Sequence, residues 1–141
     1  MNYAQGSKRI IEELFGAGKF ELAQELIAAD AIGHDTARPE SITGPDGVIE
    51  AVRGYRDAFP DLTMTASQVI AEGDYVAVRW TARGTHKGEL FGMPATGKEA
   101  TVTGITIDRW ADGKLAESWT NWDTLGLLQQ IGAMPAAMQT A

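Results

Sequence analysis

Cysteine is absent from the 141 residues, and histidine occurs only twice. Without thiols the chain has no disulfide, thiolate zinc site, iron–sulfur cluster or cysteine nucleophile, and two histidines are too few for a histidine-rich metal centre. A basic surplus is missing too: 12 Lys and Arg stand against 19 Asp and Glu, for a net charge of −7. That removes the electrostatic footprint of nucleic-acid binding and sets the chain against anionic membrane surfaces. No apolar run approaches the roughly 20 residues that span a bilayer. Charges at Lys8, Arg9, Glu12 and Glu13 break up the stretch a signal peptide would need, so the cytoplasm is the expected compartment. There is no GxGxxG after a strand, no GxxxxGK[ST], no HExxH and no GxSxG. What remains is acid–base chemistry by carboxylates and two histidines.

The composition is otherwise that of a globular domain, 44% hydrophobic and 22% charged. Apolar residues recur at helical spacing in Ile10, Ile11, Leu14 and Phe15, and again in Phe20, Leu22, Ala23, Leu26 and Ile27. The polar segment Gly33 to Gly44 reads as a connection. Pro45 then opens a helix whose face is Val48, Val52, Tyr55 and Phe59, and Pro60 stops it. Beyond Pro60 the period changes to two. About four long strands follow, the last two joined at Asp112-Gly113, a pair suited to a tight hairpin. Leu125, Leu128 and Ile131 close the pattern at helical spacing. Helices followed by strands predict an α+β fold. Strands this long must curl, so the expected architecture is a curved antiparallel sheet, a cone or half-barrel, with N-terminal helices covering an apolar pocket. Residues 1–132 make one domain, and 133–141 read as a flexible tail.

Asp123 is the most informative polar residue. In an extended Leu115–Asp123, Leu115, Glu117, Trp119, Asn121 and Asp123 share one face and Ala116, Ser118, Thr120 and Trp122 the other. A carboxylate beside tryptophans loses hydration and becomes a usable acid or base near neutral pH. The same residue also precedes the last helix and suits its N-cap, so both readings stay open. His34 and His86 each stand at the end of an element, where a cavity mouth could lie. The Gly88–Gly97 loop offers Leu90, Phe91 and Met93 either as a lid or as packing.

Several stretches together resemble one family. They are Ala58-Phe59-Pro60-Asp61, Glu72-Gly73-Asp74, Val76-Ala77-Val78-Arg79-Trp80, Gly84-Thr85-His86-Lys87-Gly88, Pro94-Ala95-Thr96-Gly97-Lys98, Asp112-Gly113-Lys114 and Trp122 to Gly132. In this order the chain resembles the SnoaL-like polyketide cyclases, of the nuclear-transport-factor-two superfamily, from about His34 to Gly132. The resemblance implies an α+β barrel or cone around a deep apolar pocket, usually paired as a homodimer. It also implies an intramolecular aldol closure of a polyketide ester that needs no cofactor and no metal. The partner is then a small apolar or polycyclic ligand. Asp123 holds the place of the family's acid–base aspartate, and His34 resembles its pocket histidine. Asn121 and His86 become orienting donors, and Trp119, Trp80, Phe91 and Phe15 shape the pocket. One departure stands out: the strand Thr101–Trp110 lacks the histidine the cyclases tend to carry and offers Thr106, Asp108 or Arg109 instead.

Three other readings share the fold. Ketosteroid-isomerase-like proton transfer would recruit Tyr55 or Tyr75 as an oxyanion donor. A limonene-type epoxide hydrolase would need Asp123, Arg109 and Asp108 gathered round a water. A carrier of small apolar ligands would need only the cavity.

Overall fold

The computed structural model describes residues 1–133; all but the first residue of the expected tail lies outside them. Asn2 caps helix α1 (Tyr3–Arg9), its side chain accepting from Gln5 N at 2.8 Å while Gln5 Oε1 accepts from Asn2 N. The helix continues as a wider π turn over Ile10–Phe15, which turns Ile10, Ile11 and Leu14 inward. Helix α2 (Glu21–Leu26) ends one residue short of the expected apolar stripe, because Ile27 begins strand β1 (Ile27–Asp35). Strand β2 (Ile42–Thr43) pairs with it. Helix α3 (Gly44–Ala58) carries Pro45 in its first turn as expected. Strands β3 (Thr63–Glu72), β4 (Tyr75–Thr85), β5 (Glu99–Ala111) and β6 (Lys114–Trp122) form the antiparallel meander, and α4 (Thr124–Gln130) follows. Asp112 and Gly113, both at positive φ, turn β5 into β6.

The strand order is β2-β1-β6-β5-β4-β3. The α+β class, the curved sheet and the covering N-terminal helices are as the sequence predicts, and the sheet does not close into a barrel. It is mixed, because β1 runs parallel to β6. The segment Gly33–Gly44, expected as a connection, therefore holds the end of one strand and the whole of another. β1 escapes the alternation rule because Ala28, Ala29 and Asp30 interrupt its inward residues Ile27 and Ala31.

Alternation is strict in β4 and β5. Val76, Val78, Trp80, Ala82 and Gly84 of β4 point inward, as do Ala100, Val102, Gly104, Thr106, Asp108 and Trp110 of β5. A β-carbon at Gly104 would collide with the Trp80 ring and with Trp122, so the bare backbone there lets two indoles close on one spot. The inward residues meet the π turn and α3 in the core. No helix among the described residues is long and apolar enough to cross a membrane.

Candidate active site

Between the concave face of the sheet and the helices lies a cavity of about 1180 Å³, its open mouth included. Its walls are mostly apolar: Ile10, Ile11 and Phe15 from the π turn, Val48 from α3, Trp80 and Val102 from the sheet. Burial grades along it. Around Ser7, Asp108 and Trp110 side chains are fully shielded, whereas Asp35, Tyr55 and Trp122 at the other end are half-buried. Polar groups interrupt this lining in three places.

The deep end holds Asp108, 3% exposed. Burial pushes its carboxyl up to about 7, against a hydrogen bond from Ser7 that acts the other way. Ser7 also accepts from Trp110 Nε1 at 2.9 Å. Because an indole nitrogen only donates, the Ser7 hydrogen is free for the carboxyl. Midway, Trp80 Nε1 donates to Thr106 Oγ1 at 3.0 Å, and Thr106 Oγ1 lies 2.9 Å from Thr120 Oγ1. The pairing of Thr106 with Thr120 and of Asp108 with Ser118 across β5 and β6 sets these groups in line. Near the mouth, Asp35 accepts from Tyr55 Oη at 3.0 Å, Trp122 Nε1 at 2.9 Å and Ala37 N at 2.9 Å. Burial and the Asp35 charge raise the Tyr55 hydroxyl to about 12.

The expected site residues are divided by this geometry. Trp80 and Phe15 line the cavity. Phe91 is not among the lining residues; it packs edge-on against Tyr55, which is, with ring centres 6.5 Å apart. His34 borders the cavity, but its ring stacks on Trp119 at 5.8 Å and its Nε2 lies 2.8 Å from Glu117. The bond to His34, and beyond it Arg109, holds the Glu117 carboxyl below its ordinary value. Trp119 and Asn121 line a second depression together with His34. His86 is buried outside the cavity lining, its Nδ1 accepting from Thr96 N at 3.3 Å and its Nε2 without a hydrogen-bond partner among the described residues.

Asp123 corrects the central expectation. Its side chain is exposed and accepts from Gly126 N at 2.9 Å as the N-cap of α4. A register shift between β5 and β6 explains this: Leu115 faces the cavity, but beyond the shift Ser118, Thr120 and Trp122 do, leaving Trp119, Asn121 and Asp123 on the outward side. The aspartates inside are Asp35 and Asp108. Arg109 points outward to Glu117 at 3.4 Å, so Asp123, Arg109 and Asp108 do not gather. Tyr55, not the exposed Tyr75, reaches the interior. Strict alternation from Ala100 would have placed Thr106 and Asp108 inside; nothing local marked Asp35. Among the described residues no three His, Asp or Glu side chains cluster as metal ligands.

Residues 7–131 match the model of a family described as SnoaL-like polyketide cyclase. Aklanonic acid methyl ester cyclase DauD of Streptomyces sp. (strain C5) is 30% identical over 127 residues, covering 88% of this chain and 78% of that protein. Aklanonic acid methyl ester cyclase DnrD of Streptomyces peucetius is 29% identical, covering 88% and 87%. Wild-type IdmH from Streptomyces antibioticus superposes with a TM-score of 0.81 at 32% identity, over 94% of this chain and 99% of that one. TsrD from Streptomyces laurentii gives 0.83 at 26% identity, over 94% and 96%.

Proposed function

We propose that this chain, which belongs to the SnoaL-like polyketide cyclase family, is an enzyme that closes a carbon ring in a polyketide ester, with Asp108 carrying the proton. One observation supports this above others: a carboxyl 3% exposed, facing an apolar cavity and raised to about 7, in a chain whose relatives are named as ester cyclases. Near pH 7 such a group is present both as carboxylate and as acid. Stripped of water, the carboxylate is a stronger base than an exposed one.

The steps balance without an outside reagent. Asp108 takes a proton from a substrate carbon flanked by carbonyls, leaving an enolate delocalised over the ligand. The enolate carbon attacks a ketone carbon of the same molecule and forms one carbon–carbon bond. The resulting alkoxide takes the proton back from Asp108, so the product is an isomer of the substrate. Acid–base help of this kind contributes about 10²- to 10⁴-fold. The aromatic walls fold the substrate so that the two carbons meet, which is an orientation effect. Asp35 takes no proton in this scheme; it fixes Tyr55 and Trp122 at the mouth.

The test uses aklanonic acid methyl ester as substrate. The wild-type protein should yield a ring-closed isomer of unchanged mass, and Asp108→Asn should lower turnover at least about 10²-fold with no loss of thermal stability. Undiminished turnover in Asp108→Asn removes the proposal. Tight binding by the wild type with no isomer formed would make the chain a carrier.

A further inference from the structure

Counting hydrogens in the middle of the cavity gives a surplus. The Trp80 indole brings one and the hydroxyls of Thr106 and Thr120 one each, yet only two hydrogen bonds join the three groups. Because the indole can only donate, Thr106 accepts from it. The Thr106–Thr120 bond then uses one hydroxyl hydrogen, whichever residue supplies it. The other hydroxyl hydrogen has no partner among the described residues, and both threonines line the cavity. A hydrogen-bond donor without a partner in apolar surroundings is unfavourable unless a ligand completes it.

We propose that the Thr106–Thr120 pair, polarised by Trp80, is the donor that grips the substrate's carbonyl oxygen and steadies the enolate formed beside Asp108. The placement fits one reacting unit. Thr106 and Asp108 are two residues apart on the same face of β5, about 7 Å along the strand. A carbonyl oxygen bonded to the hydroxyl and the adjacent C–H directed at the carboxyl span such a distance. Charge developing on that oxygen meets a donor already in place, with no water to reorganise. The ligand class is thereby narrowed to polycyclic ketones with an enolisable carbon next to the carbonyl. This inference rests on the Asp108 reading for its chemistry, but the donor can be tested alone.

Thr120→Val removes one hydrogen and one bond and leaves the Thr106 hydrogen free; Thr106→Val removes one hydrogen and two bonds and frees the Thr120 hydroxyl and the Trp80 indole. Only the triple change Thr106→Val, Thr120→Val and Trp80→Phe abolishes every donor of the group. The probe is 9-fluorenone, a tricyclic ketone with no acidic C–H, bound at pH 9 so that Asp108 is charged and donates nothing. Its infrared carbonyl stretch should shift to lower wavenumber in the wild-type protein, and also in Asp108→Asn and in each single valine variant. It should return to the apolar-solvent value in the triple variant. Thr106→Ser with Thr120→Ser, Trp80 kept, should retain the shift. An unshifted carbonyl in the wild-type protein overturns the proposal even if the triple variant fails to fold; so does a shift that survives in the folded triple variant. Failure of Asp108 as the proton carrier would leave all these spectra unchanged, so the two claims fail separately. In turnover, the triple variant should lose about 10²- to 10³-fold in kcat/KM.

Discussion

The carboxylate of Asp35 accepts the indole hydrogen of Trp122 at 2.9 Å and, on its other oxygen, the hydroxyl of Tyr55 at 3.0 Å. One side chain thus ties β1 to β6 and to α3 at the half-buried end of the cavity. Asp35→Ala strips both rings and the Ala37 amide of their acceptor. A loss of about 2 kcal/mol in urea unfolding is expected, since partly buried donors are left unmade. Asp35→Asn, which keeps one accepting oxygen, should lose less.

Asp123 has the opposite character. Asp123→Ala should destabilise the protein by about 1 kcal/mol through loss of the α4 cap, and Asp123→Asn by a few tenths at most. Turnover should stay within about twofold of wild type in the Asn variant, because the carboxylate lies outside the cavity. A large fall in kcat with unchanged melting temperature in Asp123→Asn would contradict this placement.

The Asp108 carboxyl imposes its own pH dependence on stability. Its value rises on folding from 3.8 to about 7. Between those limits the folded state holds a proton that the unfolded chain has released, so this group makes stability fall as pH rises from about 4 to about 7. Below and above that window its contribution is level. The shift corresponds to roughly 4 kcal/mol at most, at about 1.4 kcal/mol per unit. Calorimetric scans should show Asp108→Asn flatter across this range and more stable than wild type at pH 8.

Phe91 occupies a left-handed turn at φ 49, followed by Gly92 at φ 80, between Leu90 and Met93, which exchange backbone hydrogen bonds of 3.0 and 2.8 Å. Asparagine suits that position far better than a ring, so Phe91→Asn should gain about 0.5 kcal/mol. The same change removes an aromatic ring, 46% exposed, that packs on the cavity-lining Tyr55, and affinity for 9-fluorenone should fall. Higher melting temperature with weaker binding would mark a strained residue retained for its ligand. Calorimetry and fluorescence titration measure the two halves.

The sequence made the meander and α3 legible because both obey simple periods: β4 and β5 alternate without a break, and Val48, Val52 and Tyr55 share one helical face. β1 was hidden for a physical reason. Its end, Gly33-His34-Asp35, is polar because Asp35 serves the cavity and His34 serves Glu117, so a buried strand has the composition of a loop. The acid–base residue was hidden differently. An aspartate at 123, four residues past Trp119 and three before Gly126, carries every local sign of both a desolvated base and a cap. Only the parity of β6 against β5 decides between them. Asp108 had no local sign beyond its even spacing with Ala100, Val102 and Thr106; its burial comes from the packing of α1, through Ser7 and Trp110.

The most direct measurement is a carbon-13 NMR titration of the aspartate side-chain carboxyls in the folded wild-type protein and in Asp108→Asn. One aspartate should titrate near pH 7 in the wild type and vanish from the variant, with kcat/KM for the ester rising along the same curve to a plateau. An Asp108 carboxyl that titrates near 4, or turnover whose pH profile ignores it, contradicts the account.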